Sequence, residues 1–281
     1  MGRLPDRYWT THGVRLRRAR RTPGPWNWLF FPGGPGIGSE SLRELVDVAD
    51  CPGTSWLVDL PGDGSNVAAP GAPVDPYPLW PQVLLEAVAT VPHPVAVGHS
   101  TGGEHLLSVP GIEERLAGLV LVSTAPDARW MPIFAAMCEA DPLPAVATAA
   151  ERYAADPTDD NLSRIAVASA AWNFTADGLA AGRELLARMP YHRLAVEWSD
   201  RHFDRHFDRQ YAASWFPAAT PTLILSGGAD RIVDQSLWDD PRYRGGNVRH
   251  VVVEGGVHFP WIERPEAVGQ AFAGFASTLS A

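Results

Sequence analysis

The sequence contains no lysine, and every one of its 23 basic residues is an arginine. This absence excludes chemistry that depends on an amine side chain, namely Schiff bases with pyridoxal phosphate, the P-loop lysine and the lysine of protein kinases. Cysteine is scarce too: Cys51 and Cys138 stand far apart, without a CxxC motif or a histidine at metal-ligand spacing. We therefore expect two small, buried apolar side chains here rather than a metal site.

Positive charge is in deficit, and long apolar runs are missing. The chain has 32 acidic residues against 23 basic ones, so its formal net charge is −9. This balance argues against a nucleic-acid partner, because nucleic-acid binding depends on a clustered cationic surface. No segment approaches the roughly 18 apolar residues of a membrane span, and the first residues lack the apolar region of a secretory signal. We expect a soluble cytoplasmic protein that binds neither nucleic acid nor membrane.

An N-terminal β-hairpin is predicted over residues 8–21, where two short strand-like stretches flank the turn signal His12-Gly13. Arginines crowd its second half, interrupted by apolar residues in the manner of a half-buried strand. We interpret them as a solvent-exposed strand face rather than a basic patch for an anionic partner. They are Arg15, Arg17, Arg18, Arg20 and Arg21.

Short, continuous apolar runs recur after the hairpin, and each closes on a glycine-rich or polar turn. Continuous apolarity is typical of strands covered on both faces, as in a parallel sheet. The runs are Trp28–Phe31, Ser55–Val58, Val95–Val97, Leu119–Val122, Thr222–Leu225 and Val248–Val253. Helix-like stretches lie between them, and this alternation of strand and helix predicts an α/β fold.

The alternation stops between about Asp127 and Phe216. This stretch has helical spacing and alanine-rich segments but no convincing strand, and prolines divide it into several helices. We predict an all-helical insertion at residues 127–216 that covers the sheet. Residues 1–126 and 217–281 would then form one α/β core.

A Gly-x-Ser-x-Gly turn follows the apolar run Val95–Val97 and precedes a helix-like stretch. Gly98 and Gly102 stand two residues to either side of Ser100, where a sharp strand-to-helix turn leaves no room for side chains. The turn would expose the Ser100 hydroxyl at a helix N-terminus, which favours a developing negative charge. The pattern predicts Ser100 as a nucleophile.

A serine hydroxyl needs a base, and His258 fits this task best among the nine histidines. It follows the apolar run Val248–Val253 and a glycine-containing loop, so it should lie at the carboxyl end of a strand, where catalytic groups of parallel sheets collect. Asp230 follows the preceding strand in the same way and is the predicted acid that orients His258. Asp127 and Asp234 are the alternatives to Asp230.

Hydrolysis of an acyl compound also needs donors for the tetrahedral oxyanion. The segment Phe31–Gly36 follows the first central strand, and a glycine-rich bend there can aim backbone N–H groups at the site. The predicted donors are the N–H of Thr101, which comes directly after Ser100, and the N–H of Gly34. The prolines of this segment, Pro32 and Pro35, have no N–H to offer.

Taken in order, these motifs resemble the α/β-hydrolase superfamily, and within it the branch of proline iminopeptidases and related esterases. Gly33–Gly36 resembles the family's His-Gly-Gly-Pro-Gly oxyanion loop, Asp59–Gly64 its Asp-x-x-Gly-x-Gly turn, and Gly98–Gly102 its nucleophile elbow. The resemblance implies an α/β-hydrolase fold, which is a mostly parallel sheet with helices on both faces and an inserted helical cap. It also implies a Ser-His-Asp triad that works without a cofactor.

Three positions depart from the family pattern. Pro32 replaces the usual histidine before the loop glycines, so any anchoring of the loop by that imidazole is absent. Asn66 stands where the family often has serine, and Thr101 follows the nucleophile where iminopeptidases tend to have tryptophan. An aminopeptidase must also neutralise a substrate ammonium with cap carboxylates. The candidates are Glu139, Asp141, Glu151, Asp177, Glu184 and Glu197.

The sequence therefore predicts a cofactor-independent serine hydrolase that cleaves a small ester, lactone or amide through an acyl-enzyme. A proline iminopeptidase-like aminopeptidase is one alternative, and a ligand-binding or receptor module without turnover is another. No metal is expected, because His202 and His206 share a helix face but lack a third ligand. Aromatic residues of the insertion are expected to line the substrate pocket, namely Trp130, Trp172, Phe174 and Trp215.

Overall fold

The chain is built around one large β-sheet. A computed structural model describes residues 5–206 and 209–280, and it describes the side chains of all of these except residues 204–210. The strands are β1 (Arg7–Trp9), β2 (Arg15–Arg21), β3 (Asn27–Phe31), β4 (Thr54–Asp59), β5 (Pro94–His99), β6 (Gly118–Val122), β7 (Arg205–His206), β8 (Arg209–Gln210), β9 (Thr222–Gly227) and β10 (Val248–Val253). Eight of them form the sheet, in the order β1-β2-β4-β3-β5-β6-β9-β10.

The sheet is antiparallel at one edge and parallel elsewhere. Strands β1 and β2 form the predicted N-terminal hairpin, and β2 runs antiparallel to β4. From β4 to β10 every neighbouring pair is parallel. The carboxyl ends of β5, β9 and β10 therefore lie along the same edge of the sheet. Ser100, Asp230 and His258 follow these three strands.

Helices cover both faces of the sheet. They are α1 (Arg43–Ala49), α2 (Trp80–Ala89), α3 (Thr101–Leu107), α4 (Trp130–Ala140), α5 (Pro144–Ala155), α6 (Asp159–Ala168), α7 (Ala170–Asn173), α8 (Leu179–Ala187), α9 (Arg193–Ser199), α10 (Pro260–Glu263) and α11 (Pro265–Ala276). Among the described helices, none combines the length and the apolar character needed to cross a bilayer.

Alternate residues of the central strands pack on opposite faces, as the two-residue repeat of a strand requires. In β3, Trp28 and Phe30 join the core that includes α1 and α11, whereas Leu29 and Phe31 join the core that includes α2 and α3. Because both faces are covered, the central strands are apolar at nearly every position. This burial explains why the continuous apolar runs predicted these strands correctly.

The chain between β6 and β9 is largely helical, with α4 to α9 following one another. The prediction that it is all helical is wrong at its C-terminal end, because β7 and β8 form a two-stranded antiparallel ladder. An isolated bridge also pairs Asp127 with Ala212. Two-residue strands carry too few residues to show a repeat, so the sequence pattern does not signal them.

Two arginines of β2, Arg15 and Arg17, do not lie on the solvent-exposed face that the sequence predicts, whereas Arg21 at the end of the strand is exposed. Arg15 is 7% exposed, and its Nη2 atom lies 2.9 Å from Oδ2 of the fully buried Asp59. Nη2 of Arg17 lies 3.1 Å from the same oxygen, and Nη1 of Arg17 lies 2.8 Å from Oε1 of Glu40. Arg15 and Arg17 share one face of β2, and the pairing of β2 with β4 brings that face against Asp59 at the end of β4.

Replacing Asp59 with alanine is expected to lower the free energy of unfolding by about 3 to 5 kcal/mol, because it leaves two arginines beside the buried site without their shared carboxylate. Urea unfolding followed by circular dichroism measures the change. Asp239→Ala is the matched control, since Asp239 pairs with Arg244 at 2.8 Å on the open surface. The control should lose less than about 1 kcal/mol, and an equal loss in both variants would contradict the prediction.

Candidate active site

Ser100 lies in a sharp turn between β5 and α3. Its φ of 50° and ψ of −128° are rare for a residue with a side chain, and such strain costs about 1 to 3 kcal/mol. A Cβ atom on Gly98 would lie 2.5 Å from Cα of Gly103, and one on Gly102 would lie 2.5 Å from the carbonyl oxygen of Phe31. Only glycine fits at both positions, so the Gly-x-Ser-x-Gly spacing follows directly from the packing of the turn.

His258 and Asp230 lie beside Ser100, although the three residues are distant in the sequence. Nε2 of His258 is 3.2 Å from Oγ of Ser100, and Nδ1 of His258 is 3.0 Å from Oδ2 of Asp230. His258 follows β10 and Asp230 follows β9, so the parallel sheet delivers all three side chains to one edge. The structure thus brings together the residues that the sequence predicts as nucleophile, base and acid.

The order of donors and acceptors in this chain of contacts is fixed by Asp230. An ionised carboxylate only accepts hydrogen bonds, so Nδ1 of His258 carries a hydrogen, and this Nδ1–H donates a hydrogen bond to Asp230. Nε2 of His258 is then left with a lone pair that faces the hydroxyl of Ser100. The side chains of Asp230 and His258 are 0% and 6% exposed, so water competes little for these bonds. This arrangement can take a proton from the hydroxyl and return it.

Backbone groups hold the Asp230 carboxylate in place. Its Oδ1 atom accepts the N–H groups of Ile232 at 2.8 Å and Val233 at 3.2 Å. The two alternative acids are occupied elsewhere. Asp127 pairs with Arg129, and Asp234 accepts the Ser236 N–H at the start of a short helix. Of the three aspartates, Asp230 is the one in contact with His258.

The loop Gly33–Gly36, here called the oxyanion loop, lies directly against Ser100. A Cβ atom on Gly33 would be 2.6 Å from Cβ of Ser100, and Gly34 has a φ of 69° that favours glycine. Gly34 and Thr101 line the same cavity as Ser100. Thr101 is the first residue of α3, so its N–H has no partner within the helix. The two residues predicted to supply the donors therefore lie at the cavity that contains the Ser100 hydroxyl.

His99 is a residue of the site whose role sequence reasoning missed. Its Nε2 atom lies 3.0 Å from the backbone oxygen of His258, to which a neutral ring donates its N–H. Burial, assisted by the nearby His258, lowers the pKa of His99 well below its ordinary value, so the ring stays neutral. The ring also packs against Trp261. His99 thereby ties the loop that carries His258 to the turn that carries Ser100.

Asp63 is a second residue that sequence reasoning did not single out. Its Oδ1 atom accepts the N–H of Gly36 in the oxyanion loop at 2.7 Å. Burial raises the pKa of Asp63 to about 7, and the negative charge of Asp59 adds to this effect. The one signal in the sequence is its place between the two glycines of the Asp-x-x-Gly-x-Gly turn.

A cavity of about 310 Å³ lies above Ser100. Its floor comes from the oxyanion loop, the Ser100 turn and His258, and most of its other walls come from the segment between β6 and β9, while Ile37, Ser41 and Ile232 lie outside that segment. The walls are mostly aliphatic and aromatic, with Ser41, Ser169, Asn173 and Tyr191 as polar exceptions. Among the described residues, the lining holds no Asp, Glu or Arg. The cavity therefore suits an uncharged, apolar group.

One of the four predicted aromatic pocket residues lies at this cavity. Trp130 lines it, together with Phe134 one turn further along α4. The two rings pack on each other at 6.2 Å between centroids. The start of α4 thus forms an aromatic wall of the cavity.

The other three predicted pocket residues lie in the surrounding packing, which corrects the expectation for them. Trp172 is buried, and its indole N–H donates to a backbone oxygen just after α4. Phe174 stacks on Phe259 with 5.0 Å between ring centroids. Trp215 donates its indole N–H to the backbone of Leu106 below the sheet. Helix packing decides which aromatic rings face the cavity, and the sequence does not encode it locally.

The acidic residues that an aminopeptidase would need do not reach the cavity. None of the six candidate carboxylates named from the sequence is among its described lining residues. Asp141 instead pairs with Arg231, and Glu197 pairs with Arg193. In the described part of the chain, no group of three His, Cys, Asp or Glu side chains is placed to hold a metal ion. His206, half of the proposed histidine pair, has its side chain outside the described residues.

Solved structures with the same fold include several hydrolases. The esterase RhEst1 from a Rhodococcus species superposes with a TM-score of 0.67 at 18% identity, over 98% of this chain and 100% of that chain. A proline iminopeptidase-related protein from Thermus thermophilus gives 0.65 at 19% identity, over 95% and 93% of the two chains. A thermophilic esterase from Thermogutta terrifontis gives 0.62 at 19% identity, over 97% and 98%.

These likenesses confirm the predicted α/β-hydrolase fold. No functionally curated protein matches the sequence. The alpha/beta hydrolase family, however, matches it over residues 11–271, which is nearly the whole chain. The chain is therefore a member of the alpha/beta hydrolase family.

Proposed function

We propose that this hydrolase is a cofactor-independent serine esterase for small, uncharged substrates with an apolar acyl group. The observation that carries the proposal is the chain of contacts from Asp230 through His258 to Ser100. It ends on a hydroxyl that lies 3.2 Å from the imidazole and lines an apolar cavity. A hydroxyl in this setting can act as a nucleophile and attack the carbonyl group of a bound substrate.

The reaction follows from the positions of these groups. Oγ of Ser100 attacks the carbonyl carbon of the ester while Nε2 of His258 takes the hydroxyl proton. The carbonyl oxygen gains a negative charge, which the N–H groups of Thr101 and Gly34 stabilise. His258 then gives its proton to the departing alcohol, leaving an acyl group on Ser100. Water, activated by His258, releases the acid and restores the serine.

The lining of the cavity separates the proposed ester substrate from the aminopeptidase alternative. A substrate with a free amino terminus brings an ammonium charge, and burying that charge without a carboxylate is costly. The described lining offers no Asp or Glu to meet it. Binding of an uncharged acyl chain, in contrast, is favoured because the chain is buried against the aliphatic and aromatic walls.

We also propose that residues 127–216 form a cap over a core made of residues 1–126 and 217–281. The helices of this stretch contribute Trp130, Leu162, Leu186 and Val196 to the cavity walls, facing Ser100 on the core. The cap would thus shape the substrate pocket, while the core supplies the reacting groups.

A panel of p-nitrophenyl esters tests the proposed function. We expect multiple turnovers on the butanoate ester. The hemisuccinate, of similar length but ending in a carboxylate, should be cleaved at least about 100-fold more slowly, because the apolar lining does not offset the free-energy cost of desolvating its charge. The dodecanoate ester should be slower by about tenfold or more, since a cavity of about 310 Å³ cannot enclose it.

Two results would overturn this assignment. Preference for proline p-nitroanilide over the butanoate ester would favour the aminopeptidase. Release of a single equivalent of nitrophenol, with the acyl group then retained, would favour a ligand-binding module without turnover.

A further inference from the structure

The oxyanion loop needs an external anchor to hold its N–H groups in place. Three of its four residues are glycine, which has the greatest backbone freedom of any residue. Stabilising an oxyanion requires donors fixed to within a few tenths of an ångström, so a loop of this composition is not rigid enough by itself. Pro32, which directly precedes these glycines, has no polar side chain to anchor the loop.

Asp63 supplies a contact at the right place. Its carboxylate accepts the N–H of Gly36 at 2.7 Å, two residues after Gly34. On the other side of the same residue, the carbonyl oxygen of Gly36 accepts the N–H of His192 at 2.8 Å. Gly36 is therefore held between the turn that carries Asp63 and the start of α9.

The segment that follows the oxyanion loop is in close backbone contact with the turn that carries Asp63. A Cβ atom on Gly38, just after the oxyanion loop, would lie 3.0 Å from Cα of Gly64, the residue after Asp63. Gly62, on the other side of Asp63, has a φ of 81°. This close approach of backbones allows a side chain as short as aspartate to reach the N–H of Gly36.

Asp63 differs from Asp59, the other acidic residue that holds this region. Asp59 accepts the N–H of Ser39 at 2.9 Å and is neutralised by Arg15 and Arg17. Asp63 is 3% exposed, and the ion pairs of the described residues give it no cationic partner. A buried carboxyl group without a cation lowers stability, and the hydrogen bond from the N–H of Gly36 offsets part of this cost.

We propose that Asp63 is a positioning residue that holds the oxyanion loop through Gly36 and thereby aims the Gly34 N–H at the reacting carbonyl. This inference rests on the proposed esterase function. Asp63 touches neither the substrate nor the reacting atoms. Its effect is transmitted along the loop and is felt when the negative charge develops on the carbonyl oxygen.

Three substitutions test this role, with the butanoate ester as substrate. Asp63→Ala and Asp63→Leu remove the acceptor, and the leucine variant keeps roughly the same volume. Both should lower kcat about 10- to 100-fold and change KM less than about threefold, because the lost alignment matters in the transition state. Asp63→Asn keeps one acceptor oxygen and should recover kcat to within about threefold of the wild type. Asp75→Ala, an exposed aspartate on the same connection, is the matched control and should be unchanged.

The rate of covalent labelling by a fluorophosphonate provides a second readout, because the phosphonyl oxygen also uses the oxyanion donors. It should fall by the same factor as kcat in the alanine and leucine variants. A variant with unchanged kcat, or one in which only KM rises, would overturn the proposal. So would an asparagine variant that folds but stays as slow as the leucine variant.

Amide hydrogen exchange keeps this test separate from the esterase assignment, since it needs no substrate. The Gly36 amide, which loses its acceptor, should exchange at least about tenfold faster in Asp63→Leu than in the wild type, and at the wild-type rate in Asp63→Asn. Unchanged exchange in the leucine variant would reject the positioning role even if the wild type turned over no ester. Failure of the wild type on every ester, with the exchange result as expected, would reject only the proposed function.

Discussion

Ser100→Ala is expected to lower kcat on the butanoate ester by at least about 10⁴-fold. The reason is chemical: the alanine variant has no oxygen to form the acyl-enzyme, while the cavity and the oxyanion donors remain. KM should change little, because the hydroxyl contributes to the transition state far more than to substrate binding. Steady-state kinetics of nitrophenol release measures both constants.

Ser277→Ala, at the end of α11, controls for the substitution itself and should leave kcat unchanged, since its hydroxyl contacts only the backbone of Gly274. A Ser100→Ala variant that kept more than about a tenth of the wild-type kcat would show that another group attacks the ester. The far-ultraviolet circular dichroism of both variants should match the wild type.

Asp230→Asn is expected to lower kcat by about 10⁴-fold with the fold intact. Asparagine can turn its amide N–H₂ toward Nδ1 of His258, because its oxygen is engaged by the backbone N–H groups of Ile232 and Val233. Nδ1 must then be the acceptor, so the proton moves to Nε2. A protonated Nε2 cannot take the proton of the Ser100 hydroxyl.

Asp234→Asn is the matched control for this prediction. It lies four residues further along the chain and begins a short helix by accepting the Ser236 N–H. Asparagine performs this capping role as well as aspartate. The kcat should therefore stay within about twofold of the wild type, and the free energy of unfolding should be unchanged. Equal losses in Asp230→Asn and Asp234→Asn would remove the basis for choosing Asp230 as the acid.

The sequence predicts the sheet well because of how its strands are buried. Strands such as β3 and β5 have both faces covered, so they appear in the sequence as short, largely apolar runs. The positions of Ser100, Asp230 and His258 were predictable for a related reason. Each follows a strand, either directly or after a short loop, and a parallel sheet brings the ends of its strands to one edge.

Other features depend on contacts between distant segments and leave no local pattern. The ion pairs of Arg15 and Arg17 with Asp59 arise from the pairing of β2 with β4. A row of arginines by itself suggests an exposed face. In the same way, the packing of α4 and its neighbours places Trp130 at the cavity and leaves Trp172 in the core, although both are tryptophans in helices.

The roles of His99 and Asp63 were hidden for another reason. Each acts on a backbone group of a different segment, the carbonyl of His258 and the N–H of Gly36. Any residue has these backbone groups, so the sequence of the partner segment carries no sign of the bond. Such supports become visible only once the segments are in contact.

The most direct test of the account is the identity of the residue that carries the acyl group. The protein is mixed with excess p-nitrophenyl butanoate, quenched with acid within the first turnover, digested and mapped by mass spectrometry. The account predicts one added butanoyl group on Ser100 and none in Ser100→Ala. A butanoyl group on another residue of the wild type, with none on Ser100, would contradict it.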